Sequence, residues 1–216
     1  MRRILTVALP VALVAYGSLS HAAAPAGVGT ASTAKAERPD VKVGDKWVSA
    51  CTQYSKKFDV VTVVTSVDQS GIKGTQNGKP LAMTPDLNTT VSPRWTDTDA
   101  RALSFPLEVG KQWKAGNEWV DHQSDSPGGI DEGSEQLSVA VVGYEKVRVP
   151  AGEFDAFKLK WKSNWTAKSG AVGTTETTYW YAPATRGVVK LDRRISWAGG
   201  GEPELKCELT EFQLQP

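Results

Sequence analysis

Beyond residue 40, apolar and polar residues alternate in short runs that are rich in Val, Thr, Tyr and Trp. Clusters of Gly, Pro, Asn and Asp separate these runs, which is the pattern of strands joined by turns. Little of this region has the period of a helix. The sequence therefore predicts an all-β domain. Its strands are expected at 45–54, 57–67, 111–123, 135–149, 174–183, 186–197 and 203–214.

Two turns between strands are marked by their residues. Asn77-Gly78 is the dipeptide that most strongly indicates a two-residue hairpin. In Pro150-Ala151-Gly152, proline sets φ at the first central position of a turn and glycine suits the position after the central pair. By contrast, residues 84–100 and 124–134 are polar and are predicted to be long connections.

The strand that follows Gly152 changes the parity of its apolar residues. Ala156 has one parity, whereas Phe157 and Trp161 have the other. Since side chains of a strand alternate with a period of two, we expect a β-bulge near Ala156–Phe157. The interleaved lysines should point away from the apolar face, where they form a solvated face or protect a sheet edge from pairing with another chain. An anion site is the alternative for these three residues, Lys158, Lys160 and Lys162.

The predicted strand at 57–67 has apolar residues on both parities. Phe58 and Val60 have one parity, and Val61 and Val63 have the other. A strand of this kind is typically central in a sheet and covered on both faces.

The N-terminus has the pattern of a secretory signal peptide. Arg2 and Arg3 precede an apolar stretch that is short for a membrane span, and small residues that suit cleavage follow it. We expect a signal peptide at 1–24, a flexible linker of small residues at 25–40 and a single domain at 41–216. The predicted location is periplasmic or secreted, without an integral membrane span in the mature chain. An N-terminal membrane anchor is the alternative.

The net charge of the chain bears on its possible partners. Removing Arg2 and Arg3 lowers the formal net charge from +1 to about −1. This near-neutral balance argues against nucleic acid as a partner, because a nucleic-acid-binding protein requires a basic face.

The two cysteines suggest a covalent link. In an exported domain, Cys51 and Cys207 are expected to form a disulfide, with two unpaired thiols as the alternative.

Several sequence segments together resemble a group of exported bacterial proteins that are related to the half-barrel superfamily of the LolA and LolB lipoprotein carriers. The two most specific segments are VPAG-x-F-x-A-F-K at 149–158 and WYAP at 180–183. The resemblance implies a LolA-like curved antiparallel sheet, a half-barrel with few or no long helices, whose hollow accepts acyl chains or a partner segment. It transfers no catalytic residues, and the chain has no cysteine after the apolar run to carry a lipid anchor.

No residue pattern indicates a catalytic centre or a cofactor. After removal of the signal peptide, His122 is the remaining histidine, and no serine has a nucleophile motif around it. Glycoside hydrolases use a pair of carboxylates at a defined distance. Among 24 acidic residues some pair will lie at a suitable distance, so such a pair would not indicate this activity. A weak calcium site is a minor alternative to a solvated acidic loop for Asp125, Asp131, Glu132 and Glu135.

Tryptophan is the most distinctive residue type, because seven of the eight fall on or beside predicted strands. Core filling is the ordinary explanation. Lining of an apolar cavity is the alternative. The first candidates for ligand binding are Trp161 and Trp180, which are expected on neighbouring strands, followed by Trp113 and Trp47.

Three functions remain open from the sequence. The leading one is a non-enzymatic exported protein that binds a lipid, another apolar ligand or an envelope protein in the hollow. The second is a structural or assembly role through sheet edges. The third is a hydrolase with an unrecognised carboxylate site. A continuous apolar cavity would favour the first function, and a filled core with an open, uncharged sheet edge would favour the second. Convergent carboxylates in a polar cleft, with raised pKa values, would favour the third.

Overall fold

A computed structural model describes residues 34–98, 101–124, 128–198, 200 and 204–216. These residues form fourteen strands and one 3₁₀ helix, Pro183–Thr185, which confirms the predicted all-β class. The first seven strands are β1 (Lys35–Ala36), β2 (Lys46–Gln53), β3 (Lys56–Asp68), β4 (Gly71–Gln76), β5 (Lys79–Met83), β6 (Thr89–Val91) and β7 (Trp95–Asp97). The others are β8 (Leu107–Glu108), β9 (Gln112–Asp121), β10 (Asp131–Val149), β11 (Gly152–Ala167), β12 (Val172–Ala182), β13 (Gly187–Trp197) and β14 (Glu204–Gln213).

Twelve strands form one antiparallel sheet that closes on itself. Their order is β10-β11-β12-β13-β14-β2-β3-β4-β5-β6-β7-β9, and β9 pairs in turn with β10. The curved antiparallel sheet is therefore confirmed, and its ring of strands is complete. β1 and β8 pair separately as a two-stranded sheet. In the described part of the chain, no helix has the length and apolar character that a membrane span requires.

Both predicted hairpin turns are present. Asn77 and Gly78, with φ of 52° and 77°, join β4 to β5 in the left-handed conformation that this two-residue turn requires. Val149 pairs with Gly152 across Pro150 and Ala151, and Gly152 has a φ of 140°.

The bulge lies on the opposite strand from the one predicted. The register between β10 and β11 shifts between Val141 and Gly143, so the extra residue is Val142. Ala156 and Phe157 are both buried because different clusters of apolar residues cover the two faces of β11 at this point. The change of apolar parity thus marks a strand covered on both sides.

Two predicted connections contain strands. Residues 84–100 include β6 and β7, which complete the ring between β5 and β9. Short strands with polar sequences carry little apolar alternation, so the pattern did not reveal them. β10 begins at Asp131, within the predicted loop at 124–134.

The main hydrophobic cluster fills one side of the barrel with residues from the ring and from outside it. Ala36, Leu103 and Leu107 join side chains of β10, β11 and β12 there, and Leu107 is fully buried. Residues 34–40, which the sequence assigned to the end of a flexible linker, therefore contribute to the fold. The predicted signal peptide at 1–24 lies outside the described residues.

The first and last strands of the ring are joined covalently. Cys51 on β2 and Cys207 on β14 are direct partners in the sheet and form the predicted disulfide. The bridge lies at the seam where the C-terminal strand meets the N-terminal part of the barrel.

Candidate functional site

The two faces of the barrel sheet carry different side chains. Successive side chains of a strand point to opposite faces. On β11, Leu159 and Trp161 are buried in the interior cluster, whereas Lys160 and Lys162 are exposed. The lysines thus point away from the apolar face, as the sequence predicts.

Part of the inner face is apolar but uncovered. Pairing across β13, β14, β2 and β3 places Leu191 and Phe58 on either side of the disulfide, on the interior side of the sheet. Leu205 and Ile195 share this face. Among the described residues, none of these four belongs to a hydrophobic cluster. We call the surface formed by Phe58, Leu191, Ile195 and Leu205 the inner wall.

The inner wall corrects one expectation from the sequence. The strand at 57–67 was expected to be covered on both faces, yet the Phe58 side chain on β3 is 40% exposed. Leu191, Ile195 and Leu205 are only half-buried. A ring of twelve strands is wide enough to enclose more space than its own side chains fill.

A row of unpaired polar groups borders the inner wall. Trp161, Thr177 and Arg193 are successive cross-strand partners on β11, β12 and β13, and Leu205 of the inner wall continues the row. Their Nε1, Oγ1 and Nε atoms are buried and have no hydrogen-bond partner among the described residues, as is also true of Oγ of Ser163. Because buried polar groups are usually paired, these atoms are candidate hydrogen-bond donors to a molecule held in the interior.

Two carboxylates, those of Asp97 on β7 and Glu135 on β10, are linked by one amide. Nδ2 of Asn117 donates to Oδ1 of Asp97 and to Oε1 of Glu135, each at 2.9 Å. Burial raises the pKa of the Asp97 carboxyl above its usual 3.8, and the charge of Glu135 adds to this effect. The hydrogen bond from Asn117 and the positive charge of Arg193 offset part of this rise in the pKa of Asp97.

The four tryptophans predicted to bind a ligand do not form one group. Trp161 is 8% exposed within the interior cluster, and Trp113 packs against the same cluster. Trp47 packs elsewhere, and its Nε1 donates to the carbonyl of Thr185 at 2.7 Å. Within the part of the chain that the structure describes, Trp161 is the one of these four whose indole nitrogen is buried without a hydrogen-bond partner.

Trp180 lies on the outer face. It pairs with Lys158 and Lys190, whose ammonium groups lie 5.2 and 5.7 Å from its ring centroid. Its Nε1 donates to Oε1 of Glu145 at 2.8 Å. Trp161 and Trp180 are on neighbouring strands, as predicted, but they face opposite sides of the sheet.

A groove of about 780 Å³ lies on the outer face of β9 to β13. We call it the outer groove. Trp113, Val139, Trp161 and Thr177 also line it, at positions where alternation turns the side chain inward, so they contribute backbone. The outward side chains that line it belong to Gln112, Lys114, Ser138, Ala140, Lys160, Lys162, Glu176, Thr178, Asp192 and Arg194.

His122 and the acidic residues of the predicted loop have separate partners. Nε2 of His122 lies 2.8 Å from Oγ1 of Thr96. Oδ2 of Asp131 accepts a hydrogen bond from Ser169, and Glu132 forms an ion pair with Lys168. Asp125 lies outside the described residues. Within the described ranges, no three His, Cys, Asp or Glu side chains are grouped so that they could hold a metal ion.

Comparisons with known proteins found similar solved structures. No family model matches the sequence, and no curated protein matches it. The chain is similar to the hypothetical lipoprotein YmcC from Escherichia coli, with a TM-score of 0.45 and 13% identity over 78% of this chain and 88% of that one. It is also similar to a protein from Bacteroides fragilis named as exported with a YmcC-like fold, with a TM-score of 0.47 and 16% identity over 82% and 99% of the two chains. A third, named as a lipoprotein from Parabacteroides distasonis, has a TM-score of 0.48 and 15% identity over the same shares.

Proposed function

We propose that this chain is an exported, non-enzymatic binding protein that holds an amphiphilic ligand inside the barrel, with an acyl chain against the inner wall. The carrying observation is that Phe58, Leu191, Ile195 and Leu205 face the interior while remaining partly exposed. Full burial of one such side chain is worth about 1.5–3 kcal/mol, so covering four half-buried ones yields a useful binding energy.

The polar row supports a ligand with an acceptor at one end. Trp161 Nε1 and Arg193 Nε can only donate hydrogen bonds, and the hydroxyl of Thr177 can also donate. A carboxylate or ester oxygen would satisfy these donors while the chain of the ligand extends over Leu205. This arrangement retains Trp161 as a ligand contact through its indole nitrogen and does not use Trp180.

Export is supported by two features that do not depend on the ligand. The N-terminal sequence has the order of charged, apolar and small residues found in signal peptides. The disulfide between Cys51 and Cys207 is typical of proteins that fold in an oxidising compartment.

The other functions that the sequence left open receive less support. Each strand of the twelve-stranded ring has a neighbour on both sides, which disfavours assembly through the edges of that sheet. Asp97 and Glu135 converge, and the raised pKa of Asp97 is a feature of catalytic acids. Both carboxylates, however, accept hydrogen bonds from the same structural amide.

Titration with dodecanoate, monitored by tryptophan fluorescence, tests the proposed function. We expect a saturable change in emission, because ligand at the polar row would alter the surroundings of Trp161. Leu205→Gln should weaken binding by about tenfold, which corresponds to about 1.4 kcal/mol of lost apolar contact. Lys206→Gln is the matched control, because its side chain points to the opposite face of β14.

Two outcomes would overturn the proposal. One is that tryptophan emission shows no saturable change at any concentration of dodecanoate. The other is an equal loss of affinity in Leu205→Gln and Lys206→Gln. If dodecanoate fails while an apolar peptide segment binds and responds to Leu205→Gln, the inner wall serves an envelope protein instead of a lipid.

A further inference from the structure

The outer groove has the dimensions of a ligand site and is independent of the inner wall. Its volume of about 780 Å³ falls within the range of about 300–1,000 Å³ of small-molecule sites. Its outward residues occupy two adjacent rows across five strands. One row runs from Gln112 on β9 to Asp192 on β13, and the other runs from Lys114 to Arg194.

Residue size explains why there is a groove at this position. On β10, the outward residues are Ser138 and Ala140, which rise little above the sheet. Their neighbours on β9 and β11 are long, namely Lys114 on one side and Lys160 and Lys162 on the other. Long lysines on both sides of short side chains leave a channel whose sides carry ammonium groups.

The groove has an excess of positive charge that the rest of the chain lacks. Its outward side chains include four cations, Lys114, Lys160, Lys162 and Arg194, and two anions, Glu176 and Asp192. The formal net charge of this set is thus +2, whereas that of the chain without Arg2 and Arg3 is about −1. The positive charge is therefore local to the groove.

Two of the cations are available to a ligand. Lys162 forms an ion pair with Glu176 at 2.8 Å, and Arg194 lies 3.5 Å from Glu204. In the described parts of the chain, neither Lys114 nor Lys160 has an ion-pair partner. Both are exposed at the rim of the short floor formed by β10.

We propose that the outer groove binds a ligand with several negative groups, phosphate or carboxylate, which Lys114, Lys160 and Lys162 contact while Gln112, Ser138 and Thr178 offer hydrogen bonds. Lysine suits this task because its ammonium group acts as a point charge with three donors. The outer groove lies on the opposite face of the sheet from the inner wall, so the two sites can bind their ligands independently.

Isothermal titration of the purified protein with inorganic tripolyphosphate and with citrate tests this site and distinguishes the two kinds of anion. At low salt, we expect at least one of them to bind saturably at one site. Lys160→Gln should weaken binding by about fivefold, the upper value of an exposed ion pair. Glu176→Gln should strengthen binding, because it removes the anion that competes for Lys162.

The control is Lys73→Gln, which removes the same charge from an exposed site on β4. Binding by tripolyphosphate alone or by citrate alone would each support the site and identify its anion. The proposal is wrong if neither anion binds, if Lys73→Gln weakens binding as much as Lys160→Gln, or if Glu176→Gln leaves it unchanged. The dodecanoate experiment with Leu205→Gln is unaffected by these outcomes.

Discussion

Trp161 and Trp180 show how the face of a strand decides what one residue type contributes. Trp161 is buried in the interior cluster with its ring surrounded by apolar side chains. Trp180 is half-buried on the outer face, between two lysines and hydrogen-bonded to Glu145. Deleting the first ring leaves a cavity, whereas deleting the second exposes surface that is already partly in water.

Trp161→Ala should lower the free energy of unfolding by about 3–5 kcal/mol, the usual cost of removing a buried aromatic side chain. Trp180→Ala should cost less than half as much. Urea denaturation of the two variants measures both values. Equal losses would show that Trp180 is as deeply packed as Trp161.

Asp97 gives the stability a pH dependence. Because its folded-state pKa is raised, the stability that it contributes is complete below pH 3.8 and is lost as the pH rises through the folded-state pKa. Asp97→Asn keeps an acceptor for Asn117 and removes the buried charge. The variant should therefore be more stable than the wild type at pH 7, with a difference that shrinks towards pH 4. A destabilised variant at pH 7 would contradict this account.

At the scale of elements, the hairpin of β10 and β11 depends on the backbone of one residue. Gly152 has a φ of 140°, a conformation that side chains with a Cβ rarely adopt, and a Cβ there would lie 3.4 Å from the Phe154 ring. Gly152→Val should destabilise the protein by about 1 kcal/mol or more. Gly143→Val is the control, since a Cβ at Gly143 meets nothing within 4 Å. Equal melting temperatures for the two variants would contradict the assigned role of Gly152.

The elements were predictable where local chemistry determines them. Asn77-Gly78 and Pro150-Ala151-Gly152 specify turns within a few residues, and alternation located the long strands. β6 and β7 were missed because each has only three residues. The burial of both Ala156 and Phe157 depends on two clusters that cover opposite faces of β11, and tertiary packing of this kind leaves no local signal.

The candidate site was less predictable, because it depends on register. Leu191 and Ile195 have the same parity in the sequence, but whether another element covers the face they share is decided by the whole ring. The lysines of β11 were visible as an outward row. Their combination with Lys114 and Arg194 in one groove required the pairing of five strands.

At the scale of the molecule, the disulfide secures the closure of the barrel. It joins β2 to β14, whose cysteines are 156 residues apart. By lowering the entropy of the unfolded chain, a bridge of this span can stabilise the folded state by up to about 5 kcal/mol. Cys51→Ser combined with Cys207→Ser should lower stability by several kcal/mol, measured by urea denaturation. A double variant with wild-type stability would show that pairing of β14 with β2 holds the seam without the bridge.

The central claim is that the interior of the barrel holds an amphiphile. Native mass spectrometry of the protein purified from the exported fraction, without detergent, tests this claim most directly. We expect an adduct that dissociates on activation with the mass of an acyl-bearing lipid, and a smaller bound fraction in Leu205→Gln than in Lys206→Gln. A protein that carries no adduct, and acquires none after incubation with lipid extract, would contradict it.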